Sequence, residues 1–511
     1  MLAGLAAAFA GICAGELLAP AIRPQAGPIT AVGGALIDAT PIGVKDWAVR
    51  TFGTADKPVL LGGILLALAA VGALAGLLAV RRPRPGIALA ALIGLVGAGI
   101  AVGRPGAGVT DALPSLLAGA VAAGVLALLT TMLRRPAPYG RPAGAWVMDR
   151  RGFHRALGAT VLVSAAGGLL GRRLSALDAG GAIASRDTLR LPAPASPAGP
   201  VPAGADLRIP GVGPFTTPAR DFYRVDTALV VPKVDARTWR LTILGDGVTR
   251  PLTLTLDELL ARPLVERDIT LTCVSNEVGG PYIGNARWLG VPLADLLREA
   301  GVKPPSQGGR ADQLVARSVD GMTLGSPVET VMDGRDALLA VGMNGAPLPF
   351  EHGFPVRMVV PGLYGYVSAC KWLRELRLTT FDAFDAYWVK RSWSPRGPIK
   401  TETRIDTPRP FADLKPGRVP VAGVAWAQHR GIEAVEVRVD GGPWRRAKLG
   451  AEDGLDTWRQ WVWWWDATPG GHTLEARSID RTGAVQTGDR VGTVPDGATG
   501  WHSVVVNVTK G

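Results

Sequence analysis

Long apolar segments in the first third of the chain limit what this sequence can fold into. Four of them, roughly residues 2–22, 58–80, 87–103 and 112–133, have the length of a helix that crosses a bilayer, and a fifth runs over about 153–171. The remainder of the 511-residue chain has an ordinary content of charged and aromatic residues. We therefore expect a multi-domain protein with an N-terminal all-α transmembrane anchor of about five helices, residues 1–175.

Arginine-rich loops indicate how these helices are oriented. The loop "RRPRPG" at 81–86 and the six arginines between Arg134 and Arg155 fall on the same side of a five-span topology. Because positively charged loops stay in the cytoplasm, the globular part is expected on the extracytoplasmic side. The stretch "MDRRGF" at 148–153 resembles a twin-arginine export signal, although positive-inside arginines alone explain it equally well.

Charge and cysteine content narrow the function classes. The formal net charge is +12, but the arginines cluster between apolar segments, which favours membrane lipid over nucleic acid as a partner. The three cysteines, Cys13, Cys273 and Cys370, are too few for a disulfide framework, and no CxxC motif or Cys/His cluster suggests zinc or an iron–sulfur centre.

The globular part divides by its sequence pattern. Residues 176–218 are expected to form a linker, because 191–218 contain eight prolines. Residues 219–400 mix short strand and helix patterns and predict an α+β domain. Residues 401–511 contain short strand patterns separated by Gly-rich turns and predict a C-terminal immunoglobulin-like β-sandwich.

The stretch "DITLTCVSNEVGG" at 268–280 carries the clearest chemical signal. Alternating residues predict a strand that delivers Cys273 to a polar loop containing Ser275, Asn276 and Glu277. A cysteine within a strand is usually an inert small apolar residue, whereas one at the end of a strand can reach a ligand.

Several segments together resemble one family. These are "DFYRVDT" (221–227), "TLTCVSNEVGG" (270–280), "SVDG" (318–321) and "MNGAPLPFEHGFPVRMVVPGLYGYVSACKWL" (343–373), and in this order they resemble the sulfite oxidase family of molybdopterin enzymes. The resemblance covers about residues 205–511, and the five-span half is similar to a membrane-attached branch of the family in the bacterial cell membrane. It implies a molybdenum–molybdopterin cofactor, with no haem or flavin in this chain and a separate electron carrier. The sandwich often mediates dimers in this family, so a homodimer is a further expectation.

The resemblance also implies roles for single residues. A soft thiolate suits high-valent molybdenum, and Cys273 matches the family's metal ligand. Tyr223 and Arg224 match residues that line the pterin and the metal pocket and are candidate catalytic residues with Cys273. Buried phosphate requires cations, and Arg357 and Lys371 match its anchors. Further candidate cofactor contacts are Asn276, Asp320, His352, Ala369 and Cys370. Taken singly, His352 is better explained as a core histidine and the two cations as strand-end surface charges, and Cys370 as a buried small residue beside the cofactor and not as a second metal ligand. The matching segments in the right order favour the cofactor roles of His352, Arg357 and Lys371.

Two departures from the family pattern bear on the substrate. Sulfite-oxidising members place an arginine after the metal cysteine, where this chain has Glu277 and Val278, and Trp393 or a neighbour stands in place of a tyrosine. We therefore predict that the loop from Val274 to Gly280, with Glu277, disfavours sulfite and suits a neutral sulfoxide or another uncharged substrate.

Two functions of different class follow from these patterns. The first is an oxidoreductase that transfers an oxygen atom to or from a small sulfur-containing or related oxo substrate. The second is a membrane-anchored binding or structural module that kept the fold without catalysis. The retention of Cys273 together with Arg357 and Lys371 favours the enzyme, because a decayed site has no need for a metal thiolate and its phosphate anchors.

Overall fold

The computed structural model describes residues 1–52, 55–133 and 150–510. The chain forms two compact units: one comprises Met1–Ala182 with Thr227–Pro232, and the other comprises Ile183–Asp226 with Lys233–Gly511. The arginine-rich loop at 134–149, including the first residues of the "MDRRGF" stretch, lies outside the described residues.

The first unit is helical. Five of its helices are long and apolar enough to cross a membrane, over Leu2–Ile22, Lys57–Arg81, Pro83–Val102, Val109–Leu133 and Arg151–Gly171. These agree with the five apolar segments of the sequence. In chain order the helices are α1 (Leu2–Ile22), α2 (Pro28–Ala39), α3 (Ile42–Phe52), α4 (Asp56–Arg81), α5 (Pro83–Val102), α6 (Leu113–Leu133) and α7 (Arg150–Thr188). The short helices α2 and α3 were not predicted, and α2 begins at a proline whose missing N–H costs nothing at a first helical position.

Small residues let these helices pack closely. A Cβ added to Gly94 of α5 would lie 2.5 Å from the Cα of Gly119 on α6, so neither helix tolerates a side chain at this crossing. Ion pairs join the ends of the apolar segments: Arg23 pairs with the buried Asp111 at 2.5 Å, and Arg104 pairs with Asp38. The helices are therefore held by backbone proximity along their length and by charge at their ends.

Two sheets build the α+β part of the second unit. The first sheet has the order β2-β1-β10-β5-β6, in which β1 and β10 are parallel, and the second has the order β3-β4-β7-β8 with β9 also paired to β7. Their strands are β1 (Arg240–Gly245), β2 (Leu252–Thr255), β3 (Val265–Thr272), β4 (Ile283–Pro292), β5 (Gln313–Ser318), β6 (Thr323–Pro327), β7 (Leu338–Met343), β8 (Ala346–Pro347), β9 (Arg357–Val359) and β10 (Leu373–Thr379).

Short helices connect these strands and share one core with them. They are α8 (Leu256–Leu260), α9 (Leu293–Glu299), α10 (Val328–Met332) and α11 (Gly365–Ser368). Helix α8 begins with a capping box in which Thr255 and Glu258 satisfy each other's backbone amides. Trp288 and Phe354 are completely buried in the shared core, so both sheets are fixed to each other by packed apolar side chains.

The proline-rich segment is not a free spacer. Residues 176–188 of the linker expected at 176–218 form the end of α7, so the linker begins later than predicted. Further on, Ser196 forms a parallel bridge with Val265 at the start of β3, and its carbonyl accepts from the amide of Glu266 at 2.9 Å. These bonds use backbone groups that an edge strand would otherwise expose.

Residues 402–508 form two packed sheets. One has the order β11-β13-β17-β16 and the other β12-β19-β18-β14-β15. Their strands are β11 (Glu402–Thr407), β12 (Asp413–Leu414), β13 (Gly417–Trp426), β14 (Ile432–Val439), β15 (Arg445–Arg446), β16 (Lys448–Leu449), β17 (Arg459–Ala467), β18 (Gly470–Asp480) and β19 (His502–Val508). Val421 and Trp461 of the first sheet share a core with Leu474 and Val504 of the second, which makes this part a β-sandwich.

The sandwich supports the outer edge of β3. The amide of Thr270 donates to the carbonyl of Asp456 at 2.9 Å, and Thr270 Oγ1 accepts from the amide of Trp458 at 2.7 Å. Gln428 Nε2 donates to the carbonyl of Thr270 and to Thr272 Oγ1, both at 3.1 Å. The polar threonine face of β3 is therefore completely buried against the sandwich.

Candidate active site

Cys273 follows the last residue of β3 and begins the loop to β4. Its amide donates to the carbonyl of Tyr282 at 2.9 Å, which turns the chain back toward β4. The side chain is buried, and Sγ lies 2.9 Å from Ser275 Oγ. The end of the strand thus places a buried thiol among the residues described below, and the region around it is called the pocket.

The surroundings of this thiol balance two effects. Burial raises the pKa of Cys273, because a thiolate loses its hydration there. Hydrogen bonds from Ser275 and the positive charge of Lys371 lower the same pKa. The free thiol therefore stays protonated at neutral pH, and a bound metal cation would favour the thiolate.

An aromatic wall borders the pocket. Tyr223 stacks on Phe222 with ring centroids 5.2 Å apart, and Phe222 meets Trp288 edge to face at 5.8 Å. Burial raises the pKa of Tyr223, the charge of Cys273 adds to this, and Arg357 opposes it. Tyr223 therefore remains a neutral phenol in the pocket.

Arg357 is a buried cation at the start of β9. Its guanidinium lies over the ring of Trp288 at 4.9 Å, and Nη1 donates to the carbonyl of His352 at 3.2 Å. Burial lowers the pKa of Arg357 to about 10, so it is still charged at neutral pH. Its Nε has no hydrogen-bond partner among the residues that the structure describes. A buried cation with a spare donor is arranged for an anion that is not part of the chain.

His352 supports this region as a neutral ring. Burial, with the charge of Arg357 second, lowers its pKa to about 4. Its Nε2 lies 2.7 Å from the carbonyl of Ala219, which fixes the proton on that nitrogen because a carbonyl can only accept. The ring thus holds the segment that leads into Phe222 and Tyr223.

A shared carboxylate joins the two remaining cations. Asp226 Oδ2 accepts from Lys371 Nζ and from Arg224 Nε, each at 2.8 Å. Lys371 Nζ also donates to the carbonyl of Glu351 at 3.3 Å. Burial lowers the pKa of Lys371 to about 8, while Asp226 favours its charged form. Asp226 itself was not predicted from the sequence, although it stands two residues after Arg224.

The remaining candidate contacts lie on neighbouring turns. Cys370 is buried, and its pKa is raised by burial and by Asp320. Asp320 accepts a hydrogen bond from Ser318 and another from the amide of Met322 at 3.3 Å. Ala369 ends the short helix α11, and its amide donates to the carbonyl of Gly365 at 3.0 Å.

Asn276 and its neighbour Glu277 differ in their surroundings. Asn276 is buried, its Oδ1 accepts from the amide of Tyr282 at 2.7 Å, and its Nδ2 has no partner within the described part of the chain. Glu277 is exposed to solvent. Trp393 is buried, with its ring 5.8 Å from that of Tyr366.

These residues fit the implied cofactor. A buried thiol suits a molybdenum ligand, and the spare donors of Arg357 and Asn276 suit an anionic, hydrogen-bonding organic group. Cys273 would hold the metal, and Arg357 and Lys371 would hold the phosphate. Of the residues predicted from the sequence, electrostatic interactions connect Tyr223, Cys273, Arg357, Cys370 and Lys371.

Comparisons with known proteins agree with this arrangement. Residues 228–388 match the family described as the oxidoreductase molybdopterin binding domain. The chain is 31% identical to mitochondrial sulfite oxidase of Mus musculus over 272 residues, which cover 46% of this chain and 49% of that protein. It is 33% identical to sulfite oxidase of Gallus gallus over 296 residues, which cover 50% of this chain and 63% of that protein. The chain thus spans 49% and 63% of the length of these two relatives.

One solved structure is similar over much of the globular half. Sulfane dehydrogenase SoxCD from Paracoccus pantotrophus matches with a TM-score of 0.50 and 25% sequence identity, covering 59% of this chain and 85% of that chain. The comparisons confirm the prediction of a molybdopterin domain of the sulfite oxidase type. The matched family range includes Cys273, His352, Arg357 and Lys371, whereas Tyr223 and Arg224 precede it.

Proposed function

We propose that this protein, in which residues 228–388 match the oxidoreductase molybdopterin binding domain, is a membrane-anchored, extracytoplasmic oxygen-atom-transfer enzyme of the sulfite oxidase type. Its substrate is a small sulfur-containing or related oxo compound. The observation that carries the proposal is the buried Cys273 thiol together with the buried Arg357, whose Nε has no partner within the described residues. A structural module would gain nothing from this costly combination.

When bound, the cofactor supplies a two-electron redox centre at which an oxygen atom is exchanged. The chain supplies the surroundings. Cys273 would hold the metal as a thiolate, and Ser275 and Lys371 would stabilise the negative charge on its sulfur. Arg357 and Lys371 would bind the phosphate, and the neutral ring of His352 fixes the Ala219 segment.

Tyr223 and Arg224 face the reacting side of the pocket in this proposal. Tyr223 keeps its proton at neutral pH, so it can donate a hydrogen bond to a transferable oxygen. Arg224 is one-third exposed and tied to Asp226, which places a cation where a substrate oxygen can approach. Two electrons must leave or enter in each turnover, and we propose that a separate carrier takes or supplies them.

Elemental and pterin analysis of the full-length protein in detergent tests this function. We expect about one molybdenum and one pterin per chain. Cys273→Ser should fold and lose oxygen-transfer activity with artificial electron carriers, because an alkoxide is a poorer ligand than a thiolate for this metal. Cys13→Ser, in α1, is the matched control and should keep full activity. Protein purified without molybdenum, or a fully active Cys273→Ser variant, would overturn the assignment.

The membrane anchor and the extracytoplasmic position of the globular part are also proposals. Five apolar helices and the arginine-rich loops support an extracytoplasmic globular part in a bacterial cell membrane. A reporter enzyme that is active only outside the cytoplasm should be active when fused after residue 190 and inactive when fused after residue 82. The reverse pattern would place the globular part inside.

Association of the sandwich domains into a homodimer is also proposed. Chemical crosslinking of the detergent-solubilised protein tests it. A gel that shows only the monomer band at every crosslinker concentration would refute the homodimer without affecting the enzyme assignment.

A further inference from the structure

Asp226 occupies an unusual position for a carboxylate. Its side chain is 4% exposed, and one oxygen, Oδ2, accepts from both Lys371 Nζ and Arg224 Nε at 2.8 Å. Lys371 approaches from the turn before β10, whereas Arg224 is two residues away along the chain. One buried negative charge therefore holds two cations that come from distant parts of the sequence.

This carboxylate changes the charge that a substrate meets. Lys371 and Arg357 are assigned to the cofactor phosphate, whereas Arg224 is the cation proposed for the reacting side, where an uncompensated guanidinium would favour an anion. Asp226 offsets part of that charge and draws the Arg224 guanidinium toward itself. Because Asp226 is buried, water screens its charge only weakly.

Glu277 is less well placed for the same task. It is exposed, so bulk water and salt screen its charge, and a screened carboxylate changes the potential in a buried pocket only slightly. Substrate selection is therefore better explained by the segment after Tyr223, which carries Asp226, than by the loop after Cys273, which carries Glu277.

We propose that Asp226 is a specificity-determining residue that makes the pocket prefer substrates that are neutral, such as sulfoxides, over dianions such as sulfite. The inference rests on the proposed function and names its substrate class. A dianion must surrender its hydration to enter the pocket, and only uncompensated cations can offset that cost. The desolvation free energy of a neutral sulfoxide is far smaller, and its oxygen needs only one hydrogen-bond donor.

The reaction implied for such a substrate balances as a reduction. The S–O bond breaks, sulfur is reduced by two electrons, and the oxygen leaves as water with two protons. The two electrons come from two molecules of a reduced one-electron carrier, for which reduced viologen serves in the test.

Asp226→Asn tests the proposal, because it keeps the shape and one acceptor oxygen but removes the charge. Sulfate, an unreactive dianion, should bind the full-length variant on the order of tenfold more tightly than the wild type in calorimetric titration at low salt. The gain should shrink as salt is added. The ratio of kcat/KM for sulfite, oxidised with an artificial electron acceptor, to kcat/KM for dimethyl sulfoxide should rise by a similar factor, mostly through KM for sulfite.

Two further variants separate charge from structure. Asp221→Asn removes an exposed carboxylate five residues earlier and should change neither sulfate affinity nor substrate preference. Asp226→Glu keeps the charge and should keep the preference for the neutral substrate.

The outcomes distinguish failure of the proposed function from failure of the proposed role of Asp226. Wild-type protein without molybdenum refutes the proposed function. Protein with full molybdenum content in which Asp226→Asn binds sulfate no better than the wild type refutes the role of Asp226 alone. If Asp226→Asn does not accumulate as a folded protein, the wild type still decides, because a wild type that turns over sulfite with a higher kcat/KM than dimethyl sulfoxide overturns the proposal.

Discussion

Replacing Glu402 with glutamine should stabilise the protein, and the gain should grow as the pH rises. Glu402 is the first residue of β11, is 4% exposed, and pairs in register with Trp426 of β13. Its Oε1 and the Nε1 of Trp426 have no hydrogen-bond partner among the described residues. The cation of Lys400, two residues earlier, is engaged by Asp496 at 2.8 Å and by the carbonyl of Gly497 at 2.7 Å.

The size of the effect follows from the pKa of Glu402, which burial raises from 4.5 to about 8. Below pH 4.5 the folded and unfolded states are both protonated, so the group costs nothing. Between the two values the folded state keeps a proton that the unfolded state releases, and the free energy of unfolding falls by about 1.4 kcal/mol per pH unit. The cost is about 1 kcal/mol at pH 5 and about 3 kcal/mol at pH 7, and it levels off above pH 8. Glutamine cannot ionise and avoids this cost.

Thermal unfolding followed by tryptophan fluorescence, at one scan rate in one detergent, measures the difference. The midpoint of Glu402→Gln relative to the wild type should rise by about 5 °C between pH 5 and pH 7. Glu433→Gln, an exposed position on β14, is the control and should show no such trend. A Glu402→Gln difference that is the same at both pH values would show that the carboxyl is ionised in the folded protein and that this reasoning is wrong.

Other substitutions probe the cofactor anchor and the contact of β3 with the sandwich. Arg357→Met should lower molybdenum and pterin content by more than about tenfold, since no other described cation replaces its buried donors. Arg377→Met, on the exposed side of β10, is the control and should keep the cofactor content of the wild type. Equal cofactor content in the two variants would exclude Arg357 as an anchor. Thr270→Val leaves the buried amide of Trp458 without its acceptor and should lower the free energy of unfolding by about 2 kcal/mol. Urea titration measures the difference, with the exposed Thr253→Val as the control. An unchanged urea midpoint for Thr270→Val would mean that water replaces the hydroxyl.

Length and apolar content were sufficient to predict the main helices, because a bilayer-spanning segment is defined by composition alone. The short helices α2 and α3 escaped prediction, since eleven or twelve residues give too little apolar periodicity. The end of α7 was also missed. Its last turns carry polar residues up to Thr188, and the change in composition near residue 175 marks the end of the apolar part and not the end of the helix.

The candidate active site was also only partly predictable from the sequence. Cys273 could be placed at a strand end because alternation along β3 is a local signal. The burial of Thr270 and Thr272 could not be predicted, because it depends on residues between strands of the sandwich that lie 156 to 188 positions later in the chain. Asp226 was overlooked for the same reason: its significance comes from Lys371, which is 145 residues away, and no local pattern marks a carboxylate as shared.

The bonds between the sandwich and β3 have a consequence for biosynthesis. During translation, the strand that carries Cys273 leaves the ribosome long before Gln428, Asp456 and Trp458. Until those residues emerge, the outer edge of that strand lacks the partners that hold it in the finished protein. The region around Cys273 can therefore reach its final shape only after the sandwich residues up to Trp458 have been made. A chain interrupted before these residues would leave the strand that precedes Cys273 without its partners from the sandwich.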